Sequence, residues 1–341
     1  MIATRHSSVA FAGLRLRIQT IGRLYSTTYS KAISTTTPNA ADSLSGSSTA
    51  FGPNRSGPVF AAVLTEITNQ APNVKTFSFT AQYPVNTSDS SEFTYKPGQW
   101  VEVSMPSRSP TTPKTQFSIS SAPSPSSQTF KITVKDAYQN PIVKHLHSPQ
   151  LRTGDLMYAQ VGGSFYYKAP SPPPAVEKIL MVAGGVGVAP LIAMLEHLVN
   201  ESTSSETRRR RNVTLIYSVR DEKELLFSER LEELCQTYVN GKDGLNVDVQ
   251  CYVTRYALKE EEGKEVEVAK KSDLNRAGIK FYYGTYISSR LLSDYLSQSD
   301  ANMDDTVVYM CGPESLERAV HGYLKQLEFP LQQLHFEKWW K

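Results

Sequence analysis

The sequence predicts an antiparallel β-barrel followed by a doubly wound α/β parallel sheet. Six short apolar-rich runs separated by turn residues fill about 110 residues, as in a small barrel. Beyond Pro174, short unbroken apolar runs alternate with runs of helical period, as in strands sandwiched between helices. Ser171-Pro172-Pro173-Pro174 lies between the two, a stiff connector and a natural boundary.

Taken from the start, residues 1–41 carry Arg5, Arg15, Arg17, Arg23 and Lys31, no acidic residue, and abundant serine and threonine. Leu14, Leu16, Ile18, Ile21 and Leu24 make an apolar face beside the arginines. This is the composition of a mitochondrial transit peptide, and Arg23-Leu24-Tyr25-Ser26 resembles a processing site. The expected divisions are a transit peptide over 1–25, a disordered linker rich in Ser, Thr, Ala and Pro over 26–57, a barrel over 58–170 and an α/β domain over 175–341. Removal of 1–25 takes away four arginines, so the net charge falls from +3 to −1 and no nucleic-acid partner is expected. No apolar run nears the roughly 18 residues of a membrane span, so a soluble protein of the matrix is expected. Cys235, Cys251 and Cys311 are far apart and unpaired in spacing, against a disulfide framework, a zinc ribbon or an iron–sulfur cluster. His145 and His147, at i and i+2, do not share a helix face, and no metal site is expected.

The barrel strands are expected at Val59–Ile67, Val74–Thr80, Trp100–Met105, Gln116–Ile119, Thr129–Val134 and Asp155–Val161, with turns at Pro97-Gly98 and Thr153-Gly154-Asp155. In the second domain, Ile179–Ala183 reads as a strand buried on both faces. Gly184-Gly185-Val186-Gly187 then permits a tight turn and the close approach of a ligand. Pro190 stands where the first helical residue belongs, and Val188, Leu191, Ile192, Leu195, Leu198 and Val199 repeat at helical spacing. Strand, glycine turn and helix start place N–H groups and a positive dipole end where a diphosphate binds. Such a turn also occurs as a plain tight connection, and Pro190 replaces the third glycine of the dinucleotide fingerprint.

Val213–Ser218, Leu245–Thr254 and Thr306–Met310 read as further strands, and Glu222–Tyr238, Ser288–Leu296 and Pro313–Leu327 as helices. Tyr256–Ala277 reads as an exposed excursion and Arg208–Arg211 as a solvated loop. Ligands of doubly wound sheets sit beyond the carboxyl ends of the strands, which gathers Gly184–Gly187, Ser218–Asp221 and Cys311–Pro313 around one crevice.

The order of barrel and sheet, with Pro97-Gly98-Gln99-Trp100, Phe117-Ser118, Gly162-Gly163-Ser164-Phe165, Gly184 to Pro190 and Cys311-Gly312-Pro313 in register, resembles the ferredoxin–NADP reductase superfamily. That superfamily also holds cytochrome b5 reductases and flavohaemoglobin reductase modules. The likeness covers Val59 to Lys341, and the ending Phe336-Glu337-Lys338-Trp339-Trp340 is similar to the mitochondrial oxidoreductase NAD-binding domain-containing proteins.

The resemblance implies a barrel of the flavin-binding type followed by a doubly wound nucleotide-binding domain, with FAD or FMN and NAD or NADP as cofactors. Relatives carry Arg-x-Tyr-Ser/Thr on a barrel strand, where Arg holds a flavin phosphate, Tyr packs on the isoalloxazine and the hydroxyl faces N5. The matching stretch is Thr115-Gln116-Phe117-Ser118, so Phe117 and Ser118 keep the stacking and hydroxyl roles and Gln116 lies between. Thr115 brings a hydroxyl but no charge. Val134-Lys135 and Pro141–Leu146, including Ile142 and Val143, match the strand and short helix whose N-terminus takes flavin phosphate.

For NAD(P) the resemblance assigns Gly184, Gly185, Val186, Gly187, Val188, Ala189 and Pro190, then Ser218 and Arg220, then Cys311, Gly312 and Pro313, with Cys311 beside the nicotinamide C4. Ser218 and Arg220 suit a 2′-phosphate and Asp221 a ribose hydroxyl, so NAD and NADP both stay open. Glu337 resembles the acidic residue near the flavin, and Trp339 or Trp340 the aromatic that covers its ring. Ser118, Cys311 and Glu337 are thus the expected catalytic residues. The function implied is a mitochondrial, flavin-dependent NAD(P)H oxidoreductase that passes hydride from nicotinamide to flavin. Its electrons go on to a separate acceptor, protein or small molecule. The alternative, prompted by Thr115, is a flavin-less NAD(P)H-binding sensor or scaffold.

Overall fold

A computed structural model of the protein describes residues 47–49, 57–85, 91–107, 109, 111–124, 126–136, 139–204, 209–255, 272–297 and 303–339. The expected transit peptide and most of the expected linker lie outside them. Within that linker, however, Ser47–Thr49 (β1) is a strand. Its expectation as structureless chain fails there, because pairing to a sheet edge needs no apolar period of its own.

Six antiparallel strands follow: Phe60–Ala71 (β2), Val74–Pro84 (β3), Trp100–Ser104 (β4), Lys114–Ser118 (β5), Thr129–Lys135 (β6) and Leu156–Gly162 (β7). Their order is β5-β4-β7-β2-β3-β6. The outer strands meet through an Ile119–Ile132 bridge and a Ser120 N–H donated to the Lys131 carbonyl at 2.8 Å, which closes the barrel. Alternate residues of β7 point inward, the period of a half-buried strand. Leu64, Phe77, Phe79, Phe130 and Ile132 fill the interior, with Phe79 and Phe130 stacked at 5.3 Å. Helix Pro141–Leu146 (α1) lies between β6 and β7 and lays Ile142, Val143 and Leu146 on this core.

The second domain is built from Glu177–Gly184 (β8), Arg211–Val219 (β9), Leu245–Val253 (β10), Ser272–Arg276 (β11), Ile279–Tyr283 (β12), Thr306–Cys311 (β13) and Leu334–Glu337 (β14). Its helices are Val188–Ser204 (α2), Ser228–Thr237 (α3), Ser289–Ser297 (α4) and Glu314–Gln326 (α5). The sheet order is β1-β14-β13-β8-β9-β10-β12-β11, parallel throughout except for the edge strand β11. The chain grows outward from β8 through β9, β10 and β12, then returns to set β13 on the other side of β8. The topological switch therefore lies between β8 and β13, where Ala183 pairs with Cys311. Burial on both faces explains the unbroken apolar run of β8, in which Ile179 to Ala183 are fully buried.

Several elements differ from their sequence expectation. The helix expected over Glu222–Tyr238 is two pieces, a 3-10 turn at Glu222–Glu224 and α3, separated by Phe227 in the left-handed region at φ 58°. Tertiary bonds hold the break: the Leu226 N–H donates to Tyr217 Oη at 3.3 Å and the Phe227 N–H to Gln70 Oε1 at 3.3 Å. Part of the expected excursion is the strand β11, joined to β12 by a two-residue turn at Ala277 and Gly278, both at positive φ. The rest of that excursion, residues 256–271, is outside the described residues. Pro190 is the third residue of α2, not the first, since a 3-10 turn over Gly185–Gly187 leads directly into Val188.

Arg211 leaves the expected solvated loop altogether. It is 4% exposed, and its guanidinium bonds Glu177 at 3.2 Å and Glu201 at 2.7 Å. Among the described residues no helix is long and apolar enough to cross a membrane.

Candidate functional site

The carboxyl edge of β8, β9 and β13 faces the barrel end that carries β5, β6 and α1. Between them lies a crevice of about 600 Å³. Gln116, Phe117 and Ser118 of β5, Val134 and Lys135 of β6 and Val143 of α1 line its barrel wall. Opposite stand Gly184 to Gly187, Ala189, Ser218 and Arg220, and Cys311-Gly312-Pro313 and Trp339 complete the enclosure.

Two glycines make this geometry sterically obligatory. A Cβ on Gly187 would stand 2.2 Å from the Cys311 carbonyl oxygen, and one on Gly184 would meet Pro313 Cδ at 2.6 Å. The turns after β8 and β13 thus interlock only without side chains. Gly185, at φ +53°, has nothing within 4 Å of a Cβ position: it opens on free space, as a diphosphate cradle requires. Tyr217, fully buried, donates its hydroxyl to the Gly185 carbonyl at 3.0 Å and so fixes the turn from β9.

Where barrel and sheet meet, the Ser118 hydroxyl donates to Glu337 Oε2 at 3.3 Å. Burial pushes the Glu337 carboxyl up to about 8, against hydrogen bonds from Ser118 and Trp339 that favour its charge. Burial also raises the Cys311 thiol far above its usual range, with Glu337 and Glu317 adding to the effect and a Trp339 hydrogen bond opposing it. Glu317, at the first turn of α5, is 1% exposed and raised to about 9, chiefly by burial. It accepts the Gly312 N–H at 3.1 Å through Oε1, while its Oε2 is buried with no partner among the described residues. Near neutral pH this corner therefore holds two carboxylic acids and a thiol, all uncharged.

Three expected binding residues do not face the crevice. Ile142 points into the barrel core, Val188 into the sheet-domain core, and Pro190 is buried inside α2. Glu337 reaches the site through Ser118 rather than by lining the crevice. Trp340 is outside the described residues. The sequence reading placed Val219 at this edge but missed Thr133, Glu224, Thr254, Tyr286, Ser315 and Leu316, which also line the crevice. Thr254 directly follows β10 on the same edge as Val219, whose carbonyl takes its N–H at 2.9 Å, so the strand-end rule carried that signal.

The barrel wall fits one part of a flavin and not the other. Phe117 and Val134, with Trp339 of the sheet domain beside them, offer apolar surface to a flat ring, and the Ser118 hydroxyl and the Gln116 amide stand at its edge. The start of α1, by contrast, has no N–H left for a phosphate. Pro141 has none; Ile142 and Val143 donate to Asn140 Oδ1 at 2.9 and 3.1 Å; Lys144 donates to the Asn140 carbonyl at 2.9 Å. The Thr115 hydroxyl donates to the same Oδ1 at 3.1 Å.

Residues 176–324 match the Ferric reductase NAD binding domain family. A ferredoxin NADP+ reductase from Neisseria gonorrhoeae, solved with bound FAD and NADP, superposes with a TM-score of 0.56 at 17% identity, over 83% of this chain and 99% of that one. The second domain thus matches a family of NAD-binding domains, and the chain as a whole has the fold of a ferredoxin NADP+ reductase. In sequence the chain is similar to oxidoreductase NAD-binding domain-containing protein 1 of Xenopus laevis, 29% identical over 255 residues and covering 73% of this chain and 71% of the relative. It is also similar to the 2-halobenzoate 1,2-dioxygenase electron transfer component of Burkholderia cepacia, at 27% over 261 residues, 76% of this chain and 63% of the relative.

Proposed function

We propose that the protein is a mitochondrial NAD(P)H oxidoreductase whose crevice brings a nicotinamide to a flavin ring on the barrel wall and sends the electrons to a separate acceptor. The observation that carries this reading is the meeting at one crevice of the β8/β13 switch point and the Phe117-Ser118 strand end, bridged by Ser118 and Glu337.

Each wall has its task. The glycine turn and the first residues of α2 hold the nucleotide diphosphate, and Cys311, kept as a neutral thiol by burial, packs beside the nicotinamide. Phe117, Val134 and Trp339 exclude water and orient the facing ring. Ser118 and Glu337 keep a hydrogen-bonded proton at the barrel–sheet junction, since Glu337 remains a carboxylic acid below about 8. A bound flavin would supply the two-electron acceptor for hydride.

The test mixes the full chain with excess FAD under anaerobic conditions and adds NADH or NADPH. Bleaching of the visible flavin band at catalytic protein concentrations is expected, and the faster donor identifies the preferred nucleotide. A protein that binds NAD(P)H and bleaches no flavin favours the second reading, a nucleotide sensor or scaffold, for which the self-satisfied start of α1 already speaks.

A further inference from the structure

Resting on that reading, we propose that flavin is a dissociable substrate of this protein and is itself the electron acceptor, held by its ring alone. The crevice has an apolar wall for the isoalloxazine, but the start of α1, where the family resemblance puts a flavin phosphate, is capped by the protein's own amide.

Asn140 Oδ1 accepts from three donors: the Ile142 and Val143 N–H groups and the Thr115 hydroxyl. A carboxamide oxygen has two lone pairs, so this acceptor is saturated. A phosphate oxygen that took the two N–H groups would have to evict it and leave the Thr115 hydroxyl and the amide to find new partners. Pro141 removes the remaining donor of that turn, and Thr115 supplies no positive charge to reward the exchange. Lys114, next along β5, is turned to Glu102 at 3.5 Å. Lys135 brings a cation to this wall, but it is exposed, where an ammonium holds a phosphate weakly.

The reaction that results is complete without another protein. The nicotinamide C4–H bond breaks and its hydride forms the N5–H bond of the flavin, while a solvent proton adds at N1. NAD(P)+ and dihydroflavin leave, and the dihydroflavin carries both electrons to whatever oxidises it. Riboflavin, FMN and FAD share the ring and differ only beyond the ribityl chain, so all three should serve.

The experiment titrates the full chain with riboflavin, FMN and FAD by flavin fluorescence. Equal affinities, within about threefold, and loss of flavin on gel filtration are expected, against the roughly 100-fold gain that two charge-assisted hydrogen bonds to phosphate would add. The double variant Thr115→Arg, Asn140→Gly should then tighten FMN and FAD by about tenfold or more and leave riboflavin unchanged. FAD binding roughly 100-fold tighter than riboflavin in the unmodified chain overturns the inference but leaves the proposed oxidoreductase standing. Equal affinities that persist in a folded double variant overturn the role given to Asn140 and Thr115. No binding of any flavin, with NAD(P)H still bound, removes the inference together with the function on which it rests.

Discussion

Glu337 and Glu317 are acids kept protonated in the same corner as Cys311, and that has a thermodynamic consequence. Each ionises near 4.5 in the unfolded chain, whereas burial raises them to about 8 and about 9 in the fold. Between those values the native state binds protons that the unfolded state has lost, so their contribution to stability is complete below about 4.5 and disappears as pH rises through 8 and 9. Glu337→Gln and Glu317→Gln, which cannot ionise, should each flatten the fall in stability from about pH 5 to about pH 9, with a gain over the parent of at least about 1 kcal/mol at the alkaline end. Urea midpoints across that range measure it. Parent and variant curves that run parallel would show that neither carboxyl carries the raised value. Glu337 was legible only through the family resemblance, because its partner Ser118 is 219 positions away. Glu317 was not legible at all: a glutamate in the first turn of a helix reads as a solvated residue favoured by the dipole.

At the scale of elements, the glycine turn separates two reasons for having no side chain. Gly187 is excluded by the Cys311 carbonyl at 2.2 Å, a backbone atom that cannot swing aside. Gly185 has open space but a left-handed backbone at φ +53°. Gly187→Ala should therefore destabilise by about 3 kcal/mol and pry β8 from β13. Gly185→Ala should cost only about 1 kcal/mol in stability while its new methyl, standing in the crevice, weakens NAD(P)H binding. Denaturant unfolding and nucleotide titration on both variants decide between these mechanisms, and equal stability losses would refute the distinction.

The turn itself was plain in the sequence, since glycines at the end of an apolar run have few other uses. Other elements were not. Strand β14 is four residues long and β12 five, too short for a period to emerge. The α3 break at Phe227 depends on Tyr217 and Gln70, far away in sequence, so a local pattern of leucines could only suggest one continuous helix.

For the whole molecule, the end of the sheet remote from the crevice matters as much as the crevice. Tyr167, in the connector that follows β7, donates its N–H to the Pro97 carbonyl of the barrel at 3.1 Å and its hydroxyl to Glu177 at 2.8 Å. The next N–H, that of Lys168, donates to Tyr309 Oη of β13 at 3.1 Å. Glu177 opens β8 and is paired with Arg211, which opens β9. The connector is thus tied at once to the barrel, to β8 and β13 directly and to β9 through Glu177, which helps hold the barrel against the sheet edge. The run Arg208–Arg211 gave no hint of it, because a fourth consecutive arginine looks like surface charge until a carboxylate buried beside it is known.

Arg211→Met leaves Glu177 buried beside Tyr167 without its cation, at a cost of about 3–5 kcal/mol. Arg211→Met combined with Glu177→Leu removes both charges and should recover much of that loss, so the two substitutions should be strongly non-additive in a double-mutant cycle. Because Arg211 and Glu177 lie at the amino ends of β9 and β8, whatever fraction of the double variant is folded should still bind NAD(P)H at the carboxyl edge. Additive losses, or a folded double variant without nucleotide affinity, would mean that the network is not a separable clamp and that crevice geometry depends on the charges themselves.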